Sequence, residues 1–144
     1  VKALVLVLGL LLFLLSCEGG GERGYRIAVF ISGEGRLPKV KGFLSGLKEL
    51  GVKNLKVDFY EGNNTLSRMR ELAGELAKVQ DKYDLIAVGG SLEAHMIKEA
   101  TGRPRTPVVI LGGTSIREWK LTRSLSKPSE NITGVDNLNA ELME

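Results

Sequence analysis

The sequence predicts an α/β fold, a doubly wound and mostly parallel sheet with helices on both faces, and three observations predict it. Asp84-Leu-Ile-Ala-Val-Gly-Gly-Ser91 and Pro107-Val-Val-Ile-Leu-Gly-Gly-Thr-Ser115 are apolar runs without polar alternation, as expected of strands covered on both faces. Each run ends in two glycines and a hydroxyl residue. Between the strand-like runs lie stretches whose apolar residues recur at helical spacing, the pattern of a sheet wound by crossovers. Glycines at a strand's carboxyl end admit close approach to the backbone, and a following Ser or Thr caps a helix or faces a ligand. Ligands of open α/β sheets bind outside those strand ends, which directs attention to Gly90-Ser91 and Gly113-Thr114.

Val1-Lys2, the apolar run Ala3 to Leu15, and Ser16-Cys17 have the layout of a secretory signal, so residues 1–16 are expected to be a signal peptide. At about 1.5 Å per residue the run covers roughly 20 Å, short of the roughly 30 Å core of a bilayer. Leu14-Leu15-Ser16-Cys17 resembles the bacterial lipobox, which implies lipidation at Cys17 and attachment to a membrane surface outside the cytoplasm. Glu18 to Gly24 reads as a flexible glycine-rich tether, so the linker spans 17–24 and the ligand-binding lobe 25–131.

Arg26 to Ile31 is the first buried strand, bounded by Ser32-Gly33. Gly33-Glu-Gly35 begins like a dinucleotide fingerprint, but Pro38 stands where the third glycine would fall, and the motif is rejected. Pro38 suits the first turn of a helix with Val40, Phe43, Leu44, Leu47 and Leu50 on one face and Gly51 at its end. Gly42 and Gly46, one turn apart, are expected to bring that helix close to the sheet or a neighbouring backbone. Leu55, Val57 and Phe59 alternate with polar residues and predict a strand nearer the sheet edge. Asn64 or Thr65 is placed as the cap of a helix whose stripe is Leu66, Met69, Leu72, Ala73, Leu76 and Val79. The strand Leu85 to Val88 follows, then a helix capped by Ser91 and closed by Gly102, with His95 as a structural residue. After the strand Val108 to Leu111, Ser115-Ile-Arg-Glu118 has capping-box spacing and marks a helix start. That leaves the Thr114 hydroxyl the freer one to meet a ligand. Trp119 is read as a packing residue. Ile132 to Val135 is a fifth strand, and Leu138 and Leu142 suit an incipient helix.

The 144 residues are 43% hydrophobic and 26% charged, an ordinary globular composition of about one domain's length. Discounting Lys2, 19 basic residues face 17 acidic ones, too small a surplus to argue for nucleic acid. One cysteine and one histidine leave no intrachain disulfide and no Cys or His metal cage, and no cofactor is expected.

Gly42-Phe-Leu-Ser-Gly-Leu-Lys-Glu-Leu-Gly51, the strand end Asp84 to Ser91, Thr106-Pro-Val-Val-Ile110 and Pro128-Ser-Glu-Asn-Ile-Thr-Gly-Val135, in that order and spacing, resemble the ABC transporter substrate-binding lipoproteins linked to tryptophan or tyrosine uptake. The resemblance implies a type I periplasmic-binding-protein-like N-terminal lobe, with the hinge crossing and the start of a second lobe in 132–144. It implies a small solute, possibly an amino acid, as ligand, clamped between lobes and passed to a membrane ABC permease. It also implies ligand-facing positions at Ser32, at Gly90 and Ser91, and at Thr114 and Ser115. Where the family commonly has Thr-Asp-Pro after the fourth strand this chain has Thr114-Ser115-Ile116, so a carboxylate suited to a ligand amine is missing there.

The leading function is therefore a lipid-anchored solute-binding lobe in ABC import. The alternative is a stand-alone extracytoplasmic sensor or interaction lobe, because one lobe cannot enclose a ligand from both sides. Enzyme readings find no residues to rest on. A receiver-type domain needs an aspartate ending the third strand, where Gly89-Gly90 stands, and a flavodoxin-like loop needs more hydroxyls than Ser32-Gly-Glu-Gly35 offers. No nucleophile with a partnered base is present.

Overall fold

A computed structural model describes residues 24–124, 127 and 130–137. The expected leader, the lipobox with Cys17 and the incipient helix at Leu138 lie outside these residues. Strands β1 (Tyr25–Ile31), β2 (Leu55–Glu61), β3 (Leu85–Val88), β4 (Val108–Gly113) and β5 (Ile132–Asp136) form one sheet in the order β2-β1-β3-β4-β5, with every neighbouring pair parallel. Helices α1 (Leu37–Glu49), α2 (Leu66–Val79) and α3 (Ser91–Thr101) connect them. All strands therefore finish along a single edge, and the first turns of the helices lie beside it.

Alternation along β1 divides the core. Ile27, Val29 and Ile31 face α1 and pack with Val40, Phe43, Leu44 and Leu47. Ala28 and Phe30 face the other way, into a larger cluster with Met69, Leu72 and Leu76 of α2 and Ala94 and Ile97 of α3. The sheet is thus covered on both sides, as the uninterrupted apolar runs of β1, β3 and β4 require. β2 lies at the edge and is only half-buried, in agreement with its alternating sequence. Across β1 and β2, the Arg26 guanidinium donates to Asp58 at 2.6 Å, and the Tyr83 hydroxyl donates to the same carboxylate at 2.9 Å. Both bonds hold the Asp58 carboxyl below its ordinary range, while burial, first among the causes, and the bonds to Tyr60 and Asp58 push the Tyr83 hydroxyl up.

Three features of the helices depart from expectation. Ser91 is the first residue of α3 and Gly90 takes the cap position, so Ser91 does not cap the helix. No α-helix follows β4 among the described residues. Ser115 has φ of 55°, outside the extended conformation of a cap, and residues 114–120 form turns in which the Trp119 N–H donates to the Ser115 carbonyl at 3.0 Å. Gly42 and Gly46 do not mediate close packing, since a Cβ at either would meet open space. Gly51, by contrast, ends α1 with φ of 82°. Among the described residues no helix is long and apolar enough to cross a membrane, and no group of His, Cys, Asp and Glu is placed to hold a metal.

Candidate functional site

The edge where the strands finish is assembled from three loops. After β1, Ser32 and the buried Gly33 lead into a 3-10 turn over Glu34–Arg36 and then α1. A Cβ at Gly33 would fall 2.6 Å from the side-chain amide of the exposed Asn64, which packs directly over it. After β3, Gly89 and Gly90 lead into α3. After β4, Gly112 and Gly113 lead into the Thr114 turn.

The space above Gly89 and Gly90 is occupied by two charged side chains that the sequence reading did not single out. A Cβ on Gly89 would lie 2.9 Å from Arg36 Cγ and 3.1 Å from Glu93 Oε1. One on Gly90 would lie 3.1 Å from Glu93 Oε2 and 3.2 Å from Arg36 Nη2. Glu93, in the first turn of α3, is fully buried. Its Oε1 accepts the Ser32 backbone N–H at 3.0 Å and stands 3.4 Å from Arg36 Nε. A negative side chain in a helix's first turn is favoured by the partial positive charge of the helix start. A third charge, Lys39 of α1, reaches across the sheet end and donates to the Gly112 carbonyl at 2.7 Å.

The hydroxyls divide into engaged and free. Ser32 Oγ accepts a long contact of 3.4 Å from Arg36 Nε. Ser91 Oγ donates to the Thr114 carbonyl at 2.7 Å and accepts the Thr114 N–H at 3.0 Å, so it ties the start of α3 to the end of β4. Thr114 is exposed, and no hydrogen bond among the described residues uses its hydroxyl. Ser115 is half-buried in the adjoining turn, which is anchored by the Ile116 N–H donating to Asp136 Oδ2 at 3.0 Å. The structure thus brings Ser32, Gly90, Ser91 and Thr114 to one edge, with Ser115 next to them.

No single stretch contains Arg36 and Glu93, which meet only through the pairing of β1 with β3, while Lys39 reaches the end of β4 two strands away. The signal available in the sequence was Glu93 itself, a carboxylate three residues after a Gly-Gly strand end.

The chain matches the model of the family described as ABC transporter substrate binding protein over residues 25–144. It belongs to that family. Among curated relatives, the tyrosine-binding protein of Clostridioides difficile is 31% identical over 100 residues, covering 67% of this chain and 28% of the relative. Three solved structures share the fold. The ligand-free, open structure of a substrate-binding protein with adhesive properties from Clostridium difficile superposes with a TM-score of 0.69 at 24% identity, over 80% of this chain and 39% of that one. The ABC domain from Streptococcus pneumonia in complex with L-Trp gives 0.69 at 25% identity, over 79% and 39%. A conserved domain protein from Vibrio cholerae gives 0.70 at 25%, over 84% and 43%. This ABC substrate-binding chain therefore spans less than half the length of the proteins it resembles, and its sheet is a periplasmic-binding-protein-like lobe.

Proposed function

We propose that this chain is the first lobe of a lipid-anchored solute-binding component of an ABC import system, and that the solute is an amino acid held at the carboxyl ends of β1, β3 and β4. The observation that carries the reading is the convergence of the three loop tips on one edge, where two cations, a fully buried carboxylate and a free hydroxyl are gathered. Backbone N–H groups at the start of α3, which no side chain caps, and the cations Arg36 and Lys39 suit a solute carboxylate. Thr114 offers its hydroxyl, while Ser32 and Ser91 shape the loops from which the backbone binds. The relatives that bind tyrosine and L-Trp favour an amino acid. Cys17 carries the lipid, and a membrane permease receives the solute.

Pockets enclose roughly 70–90% of a small ligand, so one lobe alone holds it weakly. Titration of the chain with L-tyrosine and L-tryptophan at millimolar concentration, followed by backbone amide NMR, tests the site. Shifts concentrated at Ser32, Gly89, Gly90 and Thr114 are expected. Shifts confined to the opposite end of the sheet, in the depression lined by Arg105, Val108 and Asn131, would refute it.

A further inference from the structure

The buried carboxylate at this edge is incompletely satisfied. Glu93 is 0% exposed, and its Oε2 has no hydrogen-bond partner among the described residues. Buried polar atoms are normally paired, and a lone charged oxygen is the costliest exception. The neighbouring cation does not resolve it. An arginine that fully satisfies a carboxylate binds both oxygens at about 2.7–2.9 Å, whereas Arg36 approaches Oε1 through Nε at 3.4 Å. Its other contact here, to Ser32 Oγ, is equally long. Lys39 is turned to the Gly112 carbonyl instead. A role confined to complementing the start of α3 would account for the sign of the charge. It would not account for a carboxylate that accepts the Ser32 N–H at Oε1 while its second oxygen lies beside Gly90.

We infer that Glu93 accepts the ammonium group of a zwitterionic solute at Oε2, while Arg36 turns from Glu93 to the solute's carboxylate. The inference rests on reading this edge as the solute site and adds the group that reads the positive charge. An ammonium carries three donors and no acceptor, the complement of a carboxylate oxygen with free lone pairs. Gly90 leaves the space beside Oε2 clear of a Cβ, and the Arg36 guanidinium, on a side chain 35% exposed, borders that same space. The exchange conserves charge. One cation leaves the carboxylate as another arrives, and the displaced guanidinium finds an anion on the same small molecule. Glu93 thereby supplies the carboxylate that Thr114-Ser115-Ile116 lacks after β4.

The test compares L-tryptophan with indole-3-propionate, which lacks the ammonium, and tryptamine, which lacks the carboxylate, on the full chain and on its Glu93→Gln variant by amide NMR titration. The unaltered chain is expected to prefer L-tryptophan to indole-3-propionate by about tenfold or more, as for a hydrogen bond to a charged group. Glu93→Gln should bring the two within about twofold while leaving the preference for L-tryptophan over tryptamine in place. An unaltered chain that binds indole-3-propionate as tightly as L-tryptophan at this edge overturns the role of Glu93 and leaves the solute site standing. So does a variant that keeps the preference. Absence of shifts at Ser32, Gly89, Gly90 and Thr114 with all three probes overturns both readings. The comparison on the unaltered chain does not depend on how well the variant folds, and a thermal melt of the variant checks that separately.

Discussion

At the scale of single residues, two hydroxyls that look alike in the sequence have different work. Ser91 is buried and bonded twice to the Thr114 backbone, whereas Thr114 carries an exposed, unengaged hydroxyl. Ser91→Ala leaves the Thr114 N–H and carbonyl without their part-buried partner and should lower unfolding free energy by about 0.5–1.5 kcal/mol per lost bond. Thr114→Ala should change it by less than about 0.5 kcal/mol and weaken amino-acid binding instead. Urea denaturation and ligand titration of the two variants check the division; a large stability loss in Thr114→Ala would reverse it. The glycine-plus-hydroxyl tips were legible in the sequence because they are local. The charges above them were not. Glu93 reads as an ordinary first-turn acid and Arg36 as a surface cation until β1 and β3 are placed side by side.

At the scale of elements, β4 and β5 are joined by an irregular register between Ile110 and Gly113, with Gly134 set against Ile110. A Cβ at Gly134 would stand 2.5 Å from the Ile110 carbonyl oxygen, a backbone atom that cannot give way as a side chain does. Gly134→Ala should therefore destabilise the chain by about 1–3 kcal/mol through overpacking, measured as a shift in the denaturation midpoint at unchanged slope. A slope that falls with it would mean that β5 detaches on its own. Strands β1, β3 and β4 could be read directly because burial on both sheet faces leaves apolar runs without polar interruption, and most of the α1 and α2 stripes because burial on one helix face imposes a period; Leu50 and Leu66, expected in those stripes, are instead 83% and 51% exposed. The segment after β4 could not. Ser115 and Glu118 have the spacing of a capping box, but spacing does not fix φ, and the left-handed turn at Ser115 sends the chain into loops. Gly42 and Gly46 misled for a related reason, since their spacing is equally compatible with a helix face turned to solvent.

At the scale of the whole molecule, exposed and half-buried ion pairs fasten distant segments around the sheet. Arg105 bonds Asp81, Lys98 pairs with Glu130, and Arg26 with Asp58. The cation holds each of these carboxyls below its ordinary value, through hydrogen bonds first and charge second for Asp81, with Tyr83 as a further donor to Asp58. A carboxyl lowered in the folded state adds stability that is complete above its unfolded value, 3.8 for Asp and 4.5 for Glu, and disappears as pH falls through the folded one. Melting temperature should thus be level from neutral pH down to about 5 and decline below about 4. Asp58→Asn should melt lower than the unaltered chain at pH 7 and converge with it in strong acid. A constant gap across the range would assign the loss to packing. Trp119, the chain's sole indole, is 40% exposed and meets the His95 ring edge-on at 5.1 Å, on the loop that begins at Thr114. The lobe consequently carries its own optical gauge. Occupancy of the Thr114 tip by a non-indole solute such as L-tyrosine should alter the colour or brightness of that emission, giving a dye-free reading of capture in a single cuvette.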